Sequence, residues 1–154
     1  MMKPRKRNRV GFTLIELVVV IMILGILAGV AAPKLLNTSA AATDNGLRQT
    51  LSIVRDSIEL YASDNGGTLP PCTGTGADFR TALAPYIRGT FPNAPVGPTV
   101  GTAAARDINP TGAGPTTADA TPATGWKYNT DDGTFICNYG AATPSDATIN
   151  YDQL

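Results

Sequence analysis

Histidine is absent from the 154 residues, which removes the commonest general base and the commonest transition-metal ligand together. Cysteine is scarce: Cys72 and Cys137 are too few and too far apart for a zinc site. Serine and threonine are plentiful, yet nothing marks one of them as an activated nucleophile, so an enzyme is not expected and no cofactor or metal is implied. Aromatic residues make up 6 %, and the C-terminal half, rich in Ala, Thr, Gly and Pro, has few large aliphatic side chains. A domain built from it has a small and therefore marginal core. Acidic residues are missing from the start of the chain. Lys3, Arg5, Lys6, Arg7 and Arg9 precede Gly11 unopposed, whereas the other seven basic residues face 12 acidic ones, a net of −5. The basic cluster has neither aromatic residues nor a folded scaffold, which argues against nucleic-acid binding.

What the chain does have is one long apolar run. From Phe12 to Ala32, FTLIELVVVIMILGILAGVAA, only Thr13 and Glu16 are clearly polar. A helix of that length spans roughly 30 Å, the hydrocarbon thickness of a bilayer. A basic start, an apolar run and an acidic remainder predict a single membrane span with its N-terminus in the cytoplasm. A cleavable secretory signal is the other reading, with small residues at Gly29, Val30, Ala31 and Ala32. The run is long for such a signal, and Pro33 sits where cleavage after Ala32 would fall.

Neither reading accounts for Glu16. A carboxylate in a membrane span costs about 2.5–3.5 kcal/mol on insertion scales, so it calls for a partner. Cleavage between Gly11 and Phe12 would create an α-amino group four residues before Glu16, able to pair within the helix or with a neighbouring chain. Gly25 and Gly29 form a G-x-x-x-G whose small residues allow close helix packing, though glycine is common in membrane helices. With Pro33 they also weaken the helix, so the segment is a candidate for flexing.

The string Gly11-Phe12-Thr13-Leu14-Ile15-Glu16 behind a short basic leader resembles the class III signal of type IV pilins and type II secretion pseudopilins. The resemblance covers the whole motif, and Pro33 also falls where that family usually has a proline. It implies cleavage after Gly11 by prepilin peptidase, N-methylation of Phe12 and recognition of Glu16 during assembly on an inner-membrane platform. It implies a pilin-like α+β fold: a long N-terminal helix, half in lipid and half packed on a small antiparallel sheet. The expected partners are copies of the chain itself and related pilin-like subunits, first in the bacterial inner membrane and then in a periplasmic or cell-surface filament. The alternative is a monomeric periplasmic binding domain on a single-span anchor.

Beyond Pro33 the pattern turns amphipathic. Leu47, Leu51, Val54, Ile58 and Tyr61 form one helical stripe, with Asp44, Arg48, Arg55, Asp56 and Glu59 assigned to the other faces. Asp64-Asn65-Gly66-Gly67 and Pro70-Pro71 predict its stop. Residues 1–11 are thus read as leader, 12–33 as membrane and assembly helix, 34–67 as amphipathic helix and 68–154 as head. Within the head, Asp78 is a plausible N-cap for a short helical turn, and 90–125 reads as a variable surface loop. Residues 126–139 read as a hairpin around Asp131-Asp132-Gly133, with a third strand at Ala147–Tyr151. In an extracytoplasmic head, Cys72 and Cys137 are expected to pair, a bond worth roughly 4 kcal/mol in the chain-entropy model, with two free thiols as the alternative. Asp131, Asp132, Asp146 and Asp152 match no calcium-loop spacing.

Overall fold

The computed structural model describes residues 12–154, the side chains of 32–37 excepted, so the basic leader and Gly11 lie outside the described residues. The chain divides into two units with the boundary between Thr38 and Ser39. Helix α1, Leu14–Asp64, runs through both.

Within the head, α1 presents the predicted stripe: Leu47, Leu51, Val54 and Ile58 are buried, and Tyr61 packs against the same cluster. Burying each of the four aliphatics stabilises the head by about 1.5–3 kcal/mol before entropy is counted. Asp44 departs from the expected pattern. It extends the stripe by one step and is buried, 1 % exposed, instead of facing solvent. Its carboxylate accepts hydrogen bonds from the Ser145 amide at 3.2 Å, the Ser145 hydroxyl and the Tyr151 hydroxyl at 3.0 Å. Three donors allow a carboxylate to occupy a core position that would otherwise be prohibitive.

Helix α2, Ala77–Leu83, inserts Phe79 and Leu83 into the core. Its N-cap is Gly76, in the left-handed region at φ 71°, and not Asp78. Asp78 turns back instead, accepting from the amide and hydroxyl of Thr73 at 3.0 and 2.8 Å.

The sheet has three strands in the order β1 (Ile108–Thr111), β2 (Trp126–Asn129), β3 (Phe135–Cys137). β2 and β3 make the expected antiparallel hairpin, with Trp126 opposite Cys137 and Tyr128 opposite Phe135. The third strand is β1, parallel to β2, so the sheet is mixed and not purely antiparallel. Ala147–Tyr151 does not supply it: that region makes an isolated bridge between Ala142 and Asn150 and a 3-10 turn at Tyr151–Gln153. The α+β class stands.

Segment 90–125, expected as a surface loop, contains a 3-10 turn at Ala103–Arg106 and all of β1. Ala94, Ala105 and Ile108 are buried there. Small residues make this possible. At Gly125 a Cβ would come within 2.1 Å of the Ala105 carbonyl oxygen and 2.8 Å of the Ala94 Cβ. Aromatics supply the remaining core volume: Phe79 stacks on Phe135 at 5.9 Å, and Trp126 lies 5.2 Å from Phe135.

Candidate functional site

Among the described residues of the N-terminal unit, most of the large apolar side chains are exposed. Phe12, Leu14, Ile15, Leu17, Ile21, Met22, Leu24, Ile26 and Leu27 are all exposed. Leu14–Ala31 is long and apolar enough to cross a membrane. Exposed apolar area of this extent requires lipid or another apolar helix around it.

Glu16 closes the start of that helix. Its Oε2 accepts from the Thr13 amide and the Thr13 hydroxyl, both at 2.8 Å, while the Glu16 amide donates to Thr13 Oγ1 at 3.3 Å. This reciprocal arrangement is a capping box, signalled in the sequence by the Thr-x-x-Glu spacing of Thr13 and Glu16. A cap is worth about 0.5–2 kcal/mol, and Glu16 stands in the first turn of the helix, away from the centre, where insertion scales put a charge at about 2.5–3.5 kcal/mol. The cap accounts for the position of Glu16 at the helix start. Phe12, whose backbone nitrogen would become the new amine, lies beside Thr13 and is exposed.

A Cβ added at Gly25 or Gly29 would meet nothing within 4 Å among the described residues. The backbone is helical through Gly25, Gly29 and Pro33. Proline has no amide hydrogen, so the Gly29 carbonyl lacks its usual intrahelical donor.

The head brings together little chemistry. Cys72 and Cys137 are buried in one core cluster as free thiols, so the expected bond between them is not formed in this structure. Burial pushes both pKa values up to about 12, with nearby Asp78 adding to the rise at Cys72 and Asp152 at Cys137. Among the described residues no three His, Cys, Asp or Glu side chains gather as a metal site. Two of the late aspartates serve local turns, Asp132 accepting from the Thr134 amide and Asp146 from the Thr148 amide, whereas Asp152 accepts from the distant Ala118 amide at 3.0 Å. Asp119 was not singled out in the sequence. It accepts from Lys127 at 2.7 Å and from the Asn109 and Asn138 amides at 2.8 Å. Burial raises its pKa, but the bonds from Lys127, Asn138 and Asn109 outweigh that and hold the carboxyl below its ordinary value.

An exposed apolar helix of membrane-spanning length on a small α+β head defines a class of helix-anchored proteins. Residues 6–32 match the prokaryotic N-terminal methylation motif. The chain is 35 % identical over 74 residues to the type II secretion system core protein G of Aeromonas hydrophila, covering 48 % of this chain and 50 % of that one. It is 33 % identical over 64 residues to the competence protein ComGC of Halalkalibacterium halodurans, 42 % of this chain and 63 % of the relative. It is 30 % identical over 88 residues to the type IV narrow pilus major component PilA5 of Thermus thermophilus, covering 48 % of this chain and 76 % of the relative. The chain belongs to the family of type IV pilins and type II secretion pseudopilins. It spans about half the length of the secretion-system relative. No solved structure matches at comparable significance.

Proposed function

We propose that this chain is the precursor of a filament subunit, of the type IV pilus or type II secretion pseudopilus kind, and has no catalytic role. The observation that carries this reading is the capped carboxylate at the start of a wholly exposed apolar helix. Prepilin peptidase cuts between Gly11 and Phe12, and Phe12 is N-methylated. The new amine then lies at the depth of Glu16, where a neighbour's amine offsets the cost of the charge and fixes register. Apolar helices of successive copies bury one another in the filament centre, and Gly25, Gly29 and Pro33 let that segment loosen during packing. Before assembly the helix holds the chain in the inner membrane, N-terminus cytoplasmic and head periplasmic. Partners are further copies, related pilin-like subunits and the inner-membrane assembly platform.

Top-down mass spectrometry of the chain recovered from its host tests this directly. The expected species begins at methylated Phe12. Assembled protein that still begins at Met1 or Met2 would overturn the reading and favour a monomeric anchored domain.

A further inference from the structure

Two surfaces beside α1 within the head carry an excess of opposite charge, although exposed Asp64 of α1 lies toward the first and exposed Arg48 toward the second. On one, a cleft of about 190 Å³ is lined by Arg80, Ile87, Phe91 and Arg106. An adjoining hollow shares Ile87 and brings Arg88 against Thr50 and Ile53 of α1. No acidic residue lines either. Arg80 is held by Asp107 at 3.1 Å, while Arg88 and Arg106 are exposed and in no ion pair among the described residues. On the other flank, a groove of about 370 Å³ separates Arg55, Glu59 and Ala62 of α1 from Asp132 and Thr134 of the β2–β3 turn. Glu59 and Asp132 are exposed there, with exposed Asp131 next to them on the turn, again without an ion pair among the described residues. The local cation, Arg55, is already engaged: it donates to the Phe135 carbonyl at 2.9 Å and the Leu154 carbonyl at 2.8 Å.

Helix geometry separates the two surfaces. At about 100° per residue, Thr50 and Ile53 fall on one side of the Leu47–Ile58 stripe, and Arg55, Glu59 and Ala62 on the other. We infer that the two flanks bind each other between copies: the Arg80–Arg88–Arg106 surface of one head receives Glu59 and the Asp131-Asp132 turn of the next. This rests on the filament reading above and adds to it a head-to-head contact. Complementary patches on opposite sides of one subunit make a heterologous interface, which propagates where a two-fold contact would stop at a dimer. Exposed ion pairs add little affinity singly, but a set of them steers approach and fixes register. Ile53, 47 % exposed, lines the hollow beside Arg88 and adds apolar area to the contact.

Charge reversal in the full-length chain, expressed in a host that assembles it, is the test. Arg88→Glu/Arg106→Glu and Glu59→Lys/Asp131→Lys are each expected to lower the yield of sheared filaments about tenfold, since like charges meeting at an interface cost more than 1.4 kcal/mol. The four changes combined are expected to restore most of it. Protection of the buried Cys72 and Cys137 thiols against maleimide reports that each variant is folded. Unchanged yields in the two reversed variants would overturn the inference while leaving the filament reading intact. So would loss in folded reversals without rescue in the combination, which would give the basic flank to some other anionic partner. A parent chain that makes no filaments removes both readings.

Discussion

Asp44 offers a sharp quantitative test, because one side chain ties α1 to a segment about a hundred residues away. Replacing it with alanine removes the acceptor for Ser145 and Tyr151. Ser145 is exposed and recovers water, but Tyr151 is 6 % exposed and its hydroxyl is stranded. A hydrogen bond to a charged group is worth about 1.5–3 kcal/mol, and a stranded buried donor costs about 1–3 kcal/mol. The two overlap, so Asp44→Ala is expected to destabilise the head by about 2–4 kcal/mol, a drop of about 10 °C in melting temperature for a domain of this size. Trp126, the one tryptophan and fully buried, reports head unfolding by its fluorescence in the full chain in detergent. Acidity gives a second handle. Burial raises the pKa of Asp44, but the bonds from Ser145 and Tyr151 and the Arg48 charge together outweigh it and hold the carboxyl below its ordinary 3.8. Its contribution is therefore complete above the unfolded value near 3.8 and is lost as pH falls through the lower, folded value. The parent's advantage over Asp44→Asn should hold between about pH 5 and 7 and shrink in stronger acid. Equal stability near neutrality, or a gap that persists undiminished at about pH 2, would refute the assignment.

Glu16→Ala is expected to be processed at Gly11 but to accumulate in the membrane fraction; normal filament yield would remove the pairing role. Gly125→Ala forces a Cβ to within 2.1 Å of the Ala105 carbonyl oxygen, and overpacking of this kind costs about 1–3 kcal/mol or more. Its melting temperature should fall, and an unchanged value would contradict the packing described. Cys72 and Cys137, buried with pKa values pushed to about 12, should resist alkylation near pH 8 in the native protein. They should take two labels once unfolded without reductant. A mass showing no label after unfolding would mean that they are bridged.

The features legible in the sequence were those governed by local periodicity. The uniform apolar run gave the membrane-length helix, the spacing of Leu47 through Tyr61 gave the core face of α1, and Asp-Gly between aromatic runs gave the hairpin. What escaped depends on partners distant in the chain. β1 is four residues long and contains Pro110, which looks like a loop until it is placed at a sheet edge, where a missing amide costs nothing. Asp44 looked like a solvent-facing charge because its donors come from positions 145 and 151. The Thr13–Glu16 cap was fully local and readable. The membrane context drew attention to the cost of the charge and away from its geometry.

The stitch around Asp119 bears on how long such a head resists proteases. β1 has a neighbour on one side only, and the chain on either side of it is rich in glycine, proline and threonine, a composition proteases attack readily when slack. One carboxylate gathers Asn109 of β1, Lys127 from β2 and Asn138 just past β3, so the edge strand is tied to a loop residue that is itself pinned to both other strands. Cutting the chain there would require breaking that tie as well as the strand ladder, so the edge would be digested more slowly than an untied loop of the same composition.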